Sequence, residues 1–229
     1  MRWISRDPIP PAGLAAWRDA ALAQLRPKAP SITRDDAPRT YRHVATDLWK
    51  MQHYKCCYCE IAVHEAYNDV EHYRPFSRYW WLGWDWDNLL FACARCNRSN
   101  KAAEFELAPG SVPLVAEQRP PGGERPLLID PSTEDPRAHI RYVYDGRRYW
   151  IPTGLTERGT YTIRLLALDD DGLLDQLLRH YETALLPVLA RARPLRDEAP
   201  LDAIARRVLS PRAAYCCFAR DVFAANQLL

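Results

Sequence analysis

The chain has 229 residues and a mass of 26.4 kDa, enough for one domain or two small ones with a buried core, and too long for a disulfide-stapled miniprotein. Hydrophobic residues make up 48% and charged residues 26%, a balance that excludes an intrinsically disordered chain. With 31 Lys and Arg against 29 Asp and Glu the net charge is only +2, so any site for nucleic acid or an anionic membrane must be local.

No uncharged apolar run reaches the roughly 18 residues of a membrane span, and the opening MRWISRDPIPP lacks the apolar stretch of a signal peptide; a cytoplasmic protein is expected. Residues 11–26 carry Leu14, Trp17, Ala21, Leu22 and Leu25 behind Pro11, which predicts an amphipathic helix. A Pro-containing linker over 27–38 leads to a second helix over 39–54, marked by Tyr41, Val44, Leu48 and Met51. The Pro- and Gly-rich stretch after Leu107 is expected to be irregular and to form the main internal boundary. Strands over 140–144 and 147–151 flank Asp145-Gly146, the dipeptide of a two-residue hairpin turn. Helices are expected over 162–168, 173–192, 200–209 and 211–229, with breaks at 169–172 and 194–200. The whole reads as an α+β chain in three segments: an N-terminal helical segment, 1–54; a cysteine-rich core, 55–108; and a β-hairpin plus helical C-terminal module, 109–229.

Four of the seven cysteines form two pairs, Cys56-x-x-Cys59 and Cys93-x-x-Cys96, separated by 33 residues. Each pair can set two thiolates on one tight knuckle, and four sulfurs then close a tetrahedron around Zn²⁺. A closed Cys₄ site has no open position for substrate, so its zinc would be structural. Cys57 is an alternative ligand to Cys56, and Cys216 and Cys217 read as core thiols. The cluster WWLGWDW holds four of the eight tryptophans; core packing is favoured there over a base-stacking platform.

Between the knuckles stand Glu71-His72, Pro75, Asn88-Leu89-Leu90, Cys96-Asn97 and Lys101. In this order the segment resembles the HNH nuclease family. The resemblance implies a ββα-metal fold: a first strand ending at His72, a second over 89–92, and a helix over 94–104. It implies phosphodiester hydrolysis, with His72 activating water, Glu71 and Asn97 seating Mg²⁺ or Mn²⁺, and Asn88 holding the loop and the histidine in place. Arg74 and Lys101 are the expected phosphate contacts. The residue types suit the chemistry, since imidazole is a competent base at neutral pH and Mg²⁺ takes oxygen ligands. Glu71 stands where the family commonly has aspartate, and Asn97 where many members have histidine. Adjacent residues on a regular strand face opposite ways, so Glu71 and His72 converge only if the strand end relaxes.

The strings CCYCE, VEHYRPFS, YWWLGWDWDNLLFACARCNRSNK and LLIDPSTEDPRAHIRYVYDG further resemble the PtuB-like HNH subunits of bacterial Septu antiphage systems, also found beside certain retrons, over roughly 56–168. That implies a PtuA-like ATPase subunit of the ABC or SMC type as partner, docking on the C-terminal module. Seven Arg against three acids over 191–220 read as a solvated face or a nucleic-acid contact. DNA and RNA, for example tRNA, are both open as substrates, and a non-catalytic zinc-knuckle module that binds nucleic acid or a partner is the rival reading.

Overall fold

The computed structural model describes residues 1–6, 10–29, 31–36, 41–192 and 206–229. Parts of the linker over 27–38, the break over 194–200 and most of the helix expected over 200–209 lie outside the described residues. Helix α1 is Leu14–Leu25 and α2 is Arg42–Met51. Strands β1, Asp69–His72, and β2, Leu89–Ala92, pair antiparallel with His72 opposite Leu89. A π-helical segment, Arg95–Lys101, follows and ends at Ala102, whose φ is 45°. Strands β3, Ile140–Tyr144, and β4, Trp150–Gly154, form a second antiparallel pair. Further helices come next: α3, Glu157–Leu166; α4, Asp171–His180, which runs through a π turn, Tyr181–Leu185, into α5, Leu186–Ala192; and α6, Cys216–Ala225.

The second hairpin differs from the expected two-residue turn. The register pairs Tyr144 with Trp150, so five residues make the connection and β4 starts three residues later than the sequence suggested. The cause is Asp145, whose carboxylate accepts backbone N–H bonds from Arg147, Arg148 and Tyr149 at 2.8, 2.8 and 3.0 Å. Those bonds hold a wide loop where a tight turn would have placed Arg147 opposite Tyr144.

Hydrophobic side chains from Met1 to Phe223 form one buried cluster. The four tryptophans of WWLGWDW are all in it, so this aromatic group is core. The Pro- and Gly-rich stretch is irregular but packed: Leu114 is buried, and the Trp81 indole donates to the Gln118 carbonyl at 2.8 Å. Strand β2 is buried along its whole length, and its outer edge is completed by a side chain. Gln52 at the end of α2 accepts from the Phe91 N–H at 2.8 Å and donates to the Phe91 carbonyl at 2.7 Å and the Lys55 carbonyl at 3.1 Å. In this way α2 positions the first knuckle against the sheet, since the Cys57 N–H also donates to Phe91 O at 3.0 Å.

Glu60, just after that knuckle, links three parts of the chain. Its buried carboxylate meets the Met1 ammonium at 3.1 Å and Lys55 Nζ at 3.6 Å, and accepts from Cys216 Sγ at 3.1 Å. Burial alone would raise its pKa, but the ammonium and Lys55 outweigh that and hold it at about 2.

Gln52→Leu removes the partner of a buried backbone N–H and is expected to cost about 2 kcal/mol. Urea unfolding of the two proteins measures it, and an unchanged midpoint would contradict the role given to Gln52.

Candidate functional site

Both cysteine pairs sit on turns stabilised by backbone N–H to sulfur contacts, Tyr58 N to Cys56 Sγ at 3.4 Å and Cys96 N to Cys93 Sγ at 3.5 Å. The four sulfurs of Cys56, Cys59, Cys93 and Cys96 all lie within 4.8 Å of one another and all four residues are buried. Cys59 and Cys93 sulfurs are 3.8 Å apart. A tetrahedral zinc with Zn–S bonds of about 2.3 Å spaces its sulfurs by about 3.8 Å, so the group fits Zn²⁺. Cys57 is buried outside this group. Among the described residues one further cluster has metal-ligand types, Glu60 with Cys216 and Cys217, and the Met1 ammonium and Lys55 already compensate its carboxylate.

The alternation of β1 persists to its end and separates the two central residues. Glu71 faces the π-helical segment. It is 1% exposed, its Oε1 lies 2.7 Å from Lys101 Nζ, and it accepts from the Tyr58 hydroxyl at 3.1 Å. Burial pushes its carboxyl up against the opposing pull of Lys101. On the same face Asp69 takes two bonds from Arg98, at 2.7 and 2.6 Å. His72 faces the other way, toward α2 and the tryptophan loop. Its Nε2 is 2.8 Å from the Tyr41 hydroxyl and 3.1 Å from the Gly83 carbonyl.

A carbonyl oxygen only accepts, so the proton belongs on Nε2 and the lone pair on Nδ1. The Tyr41 hydroxyl in turn donates to Gly83 O at 3.0 Å. Tyr41 and Phe76 flank the ring at centroid distances of 5.1 and 5.9 Å, and Trp84 packs on both. Desolvation by these neighbours lowers the His72 pKa to about 4, which keeps the imidazole neutral at pH 7. Gly83 has to be glycine, because a Cβ there would stand 2.8 Å from the Phe76 ring.

Asn88 opens β2 and its side chain holds three chain segments together. Its Oδ1 accepts from the Arg74 N–H at 2.8 Å, and its Nδ2 donates to the carbonyls of Arg74 and Leu82 at 3.1 and 3.2 Å. Asn97 lies on the π-helical segment, partly exposed. The two expected phosphate cations point inward instead. Lys101 is fully buried and also donates to His72 O at 2.8 Å. Arg74 is buried against Glu124, 2.8 Å away. The reason in both cases is a buried carboxylate that must be compensated. At the seat expected for Mg²⁺ or Mn²⁺ between Glu71 and Asn97, Lys101 and Tyr58 both meet one oxygen of the Glu71 carboxylate, Oε1. Tyr41 and Gly83 were missed from sequence; each meets His72 only through tertiary packing.

An HNH endonuclease family model matches residues 56–102. This segment belongs to the HNH endonuclease family. Around it the chain is 36% identical over 112 residues to the Septu protein PtuB of Bacillus mycoides (strain KBAB4), covering 42% of this chain and 37% of the relative. It is 29% identical over 101 residues to the PtuB of Bacillus thuringiensis, 43% of this chain and 32% of the relative. It is also 28% identical over 140 residues to the Septu protein PtuA of Bacillus mycoides (strain KBAB4), 56% of this chain and 19% of the relative. The chain thus spans about a third of the PtuB proteins' length. No helix among the described residues is long and apolar enough to cross a membrane.

Cys93→Ser is expected to reduce bound zinc from one per chain to well below one and to unfold the HNH segment, read by elemental analysis and near-UV circular dichroism. Full zinc retention would refute a four-sulfur site. Lys101→Met strands the Glu71 charge and is expected to cost about 3–5 kcal/mol. The double variant with Glu71→Gln should recover a large part of that in urea unfolding.

Proposed function

We propose that the chain is an endonuclease that hydrolyses phosphodiester bonds, with His72 as the water-activating base. The observation that carries this reading is the triangle of His72 Nε2, Tyr41 Oη and Gly83 O, together with the HNH match around it. With the proton fixed on Nε2, Nδ1 can take a proton from water as the oxygen attacks phosphorus. The bond to the leaving oxygen then breaks, and that oxygen acquires a proton. Asn88 ties the loop that carries Gly83 to Arg74, and so holds the acceptor that orients the imidazole. β1, β2 and the π-helical segment serve as the ββα unit of this reading, with the Cys₄ zinc as its structural closure.

HNH chemistry calls for a divalent cation, Mg²⁺ or Mn²⁺, which supplies charge stabilisation at the phosphate when bound. Glu71 and Asn97 are the proposed ligands, with Lys101 beside them on Glu71 Oε1. The PtuB likeness supports a wider role as the nuclease of an antiphage system, working with a PtuA-like ATPase subunit docked on residues 109–229. DNA and tRNA are both candidate substrates.

The test is cleavage of plasmid DNA and of total tRNA, with Mg²⁺, Mn²⁺ or EDTA, with and without the PtuA-like subunit. His72→Ala is expected to slow cutting by about 10²–10⁴-fold; equal cutting by both proteins would exclude His72 as the base. Tyr41→Phe keeps the ring but removes the hydroxyl, and is expected to lower kcat by about tenfold with KM unchanged, the sign of a reacting group displaced.

A further inference from the structure

A groove of about 900 Å³ lies beside α2, outside the HNH segment except for one residue. Its lining includes Arg2, Arg6, Lys50, His53 and Trp86, and among the described residues that line it Asp47 is the one acid. Arg6 builds the floor. Its guanidinium lies over the Trp86 ring at 5.4 Å and donates to the backbone carbonyls of Trp86 and Leu89. Arg2, whose guanidinium donates to the Pro211 carbonyl at 3.1 Å, and Lys50 also line it, and neither forms an ion pair among the described residues. Burial lowers the His53 pKa, and the charges of Arg2, Lys55 and Arg212 lower it further. Arg6 is answered by Asp87 at 3.8 Å, so the cations of this groove without an ion pair among the described residues are Arg2 and Lys50.

The groove is flanked by the helix whose start lies at the base. Trp86 stands two residues before Asn88. Helix α2 begins just after Tyr41, which touches His72, and nine residues at about 1.5 Å each put Lys50 about 14 Å further along. That is about four steps of a duplex strand at 3.4 Å per phosphate. The phosphate-directed cations expected inside the HNH segment, Arg74 and Lys101, are consumed in buried pairs, so a polyanionic substrate needs its counter-charges elsewhere.

We propose that this groove is a phosphate-backbone subsite, where Arg2 and Lys50 bind the sugar-phosphate chain of the nucleic acid whose scissile bond lies at His72. The proposal rests on the nuclease reading for its substrate, but it concerns binding. Contact by charge alone makes no use of a 2′-hydroxyl or of base edges, so single-stranded DNA, duplex DNA and single-stranded RNA of one sequence are bound through the same two cations.

The test measures binding of those three labelled 20-nucleotide probes by fluorescence anisotropy between 50 and 200 mM salt, in the full chain carrying His72→Ala so that cutting does not interfere. Adding Arg2→Ala and Lys50→Ala is expected to weaken each complex about tenfold at 50 mM salt. The log–log salt slope should become shallower by about two, and Arg2→Lys with Lys50→Arg should restore both. Unchanged affinity and slope, no binding of any probe by the parent, or equal loss in the charge-keeping pair would each overturn the subsite. The two proposals fail separately: charge-dependent binding by a chain that cuts nothing, even with its ATPase subunit, leaves the groove and removes the nuclease, whereas cutting without charge-dependent binding does the reverse.

Discussion

Four thiols separated by most of a 47-residue segment come together at one point, and the geometry of everything between them follows from that closure. Cys56 and Cys59 lie before β1, Cys93 follows β2 directly, and Cys96 lies in the first turn of the π-helical segment. Joining them fixes where the two-stranded sheet ends and where the following helix begins. A two-stranded sheet is marginal in water by itself. Here one strand edge is filled by the amide of Gln52, and a zinc-sized sulfur cluster clamps the ends.

Beneath that frame lies a set of buried charges whose work is positional. Glu71 with Lys101, Arg74 with Glu124, and Glu60 with Lys55 each pair groups that could not be left alone in the interior. Lys101 also holds the backbone carbonyl of His72, and Asn88 holds the backbone of Arg74. The imidazole is therefore fixed from behind by its own strand and from the front by Tyr41 and Gly83. The cost is that Arg74 and Lys101 are turned away from solvent.

Much of this was legible in the sequence. The helices over 11–26 and 39–54 appear as Leu14–Leu25 and Arg42–Met51, and the first two strands lie at Asp69–His72 and Leu89–Ala92. Apolar periodicity and cysteine spacing are local codes, and they are read without knowing what packs where. The Asp145 loop was not legible, because Asp-Gly supports either a tight turn or a carboxylate capping three amides, and the choice depends on strand register.

The sequence by itself determined the four-sulfur site and the order of the HNH residues, since each depends on residue type at a short spacing, while the first two strands followed from the resemblance to the HNH family. The tertiary structure alone decided the directions of the side chains. Whether Lys101 and Arg74 meet a phosphate or a buried carboxylate depends on partners up to 50 residues away, and desolvation settles it in favour of the carboxylate. Tyr41 reaches His72 from 31 residues upstream, outside the HNH segment. Nothing about a tyrosine at a helix start announces that contact; it exists because α2 packs across the sheet.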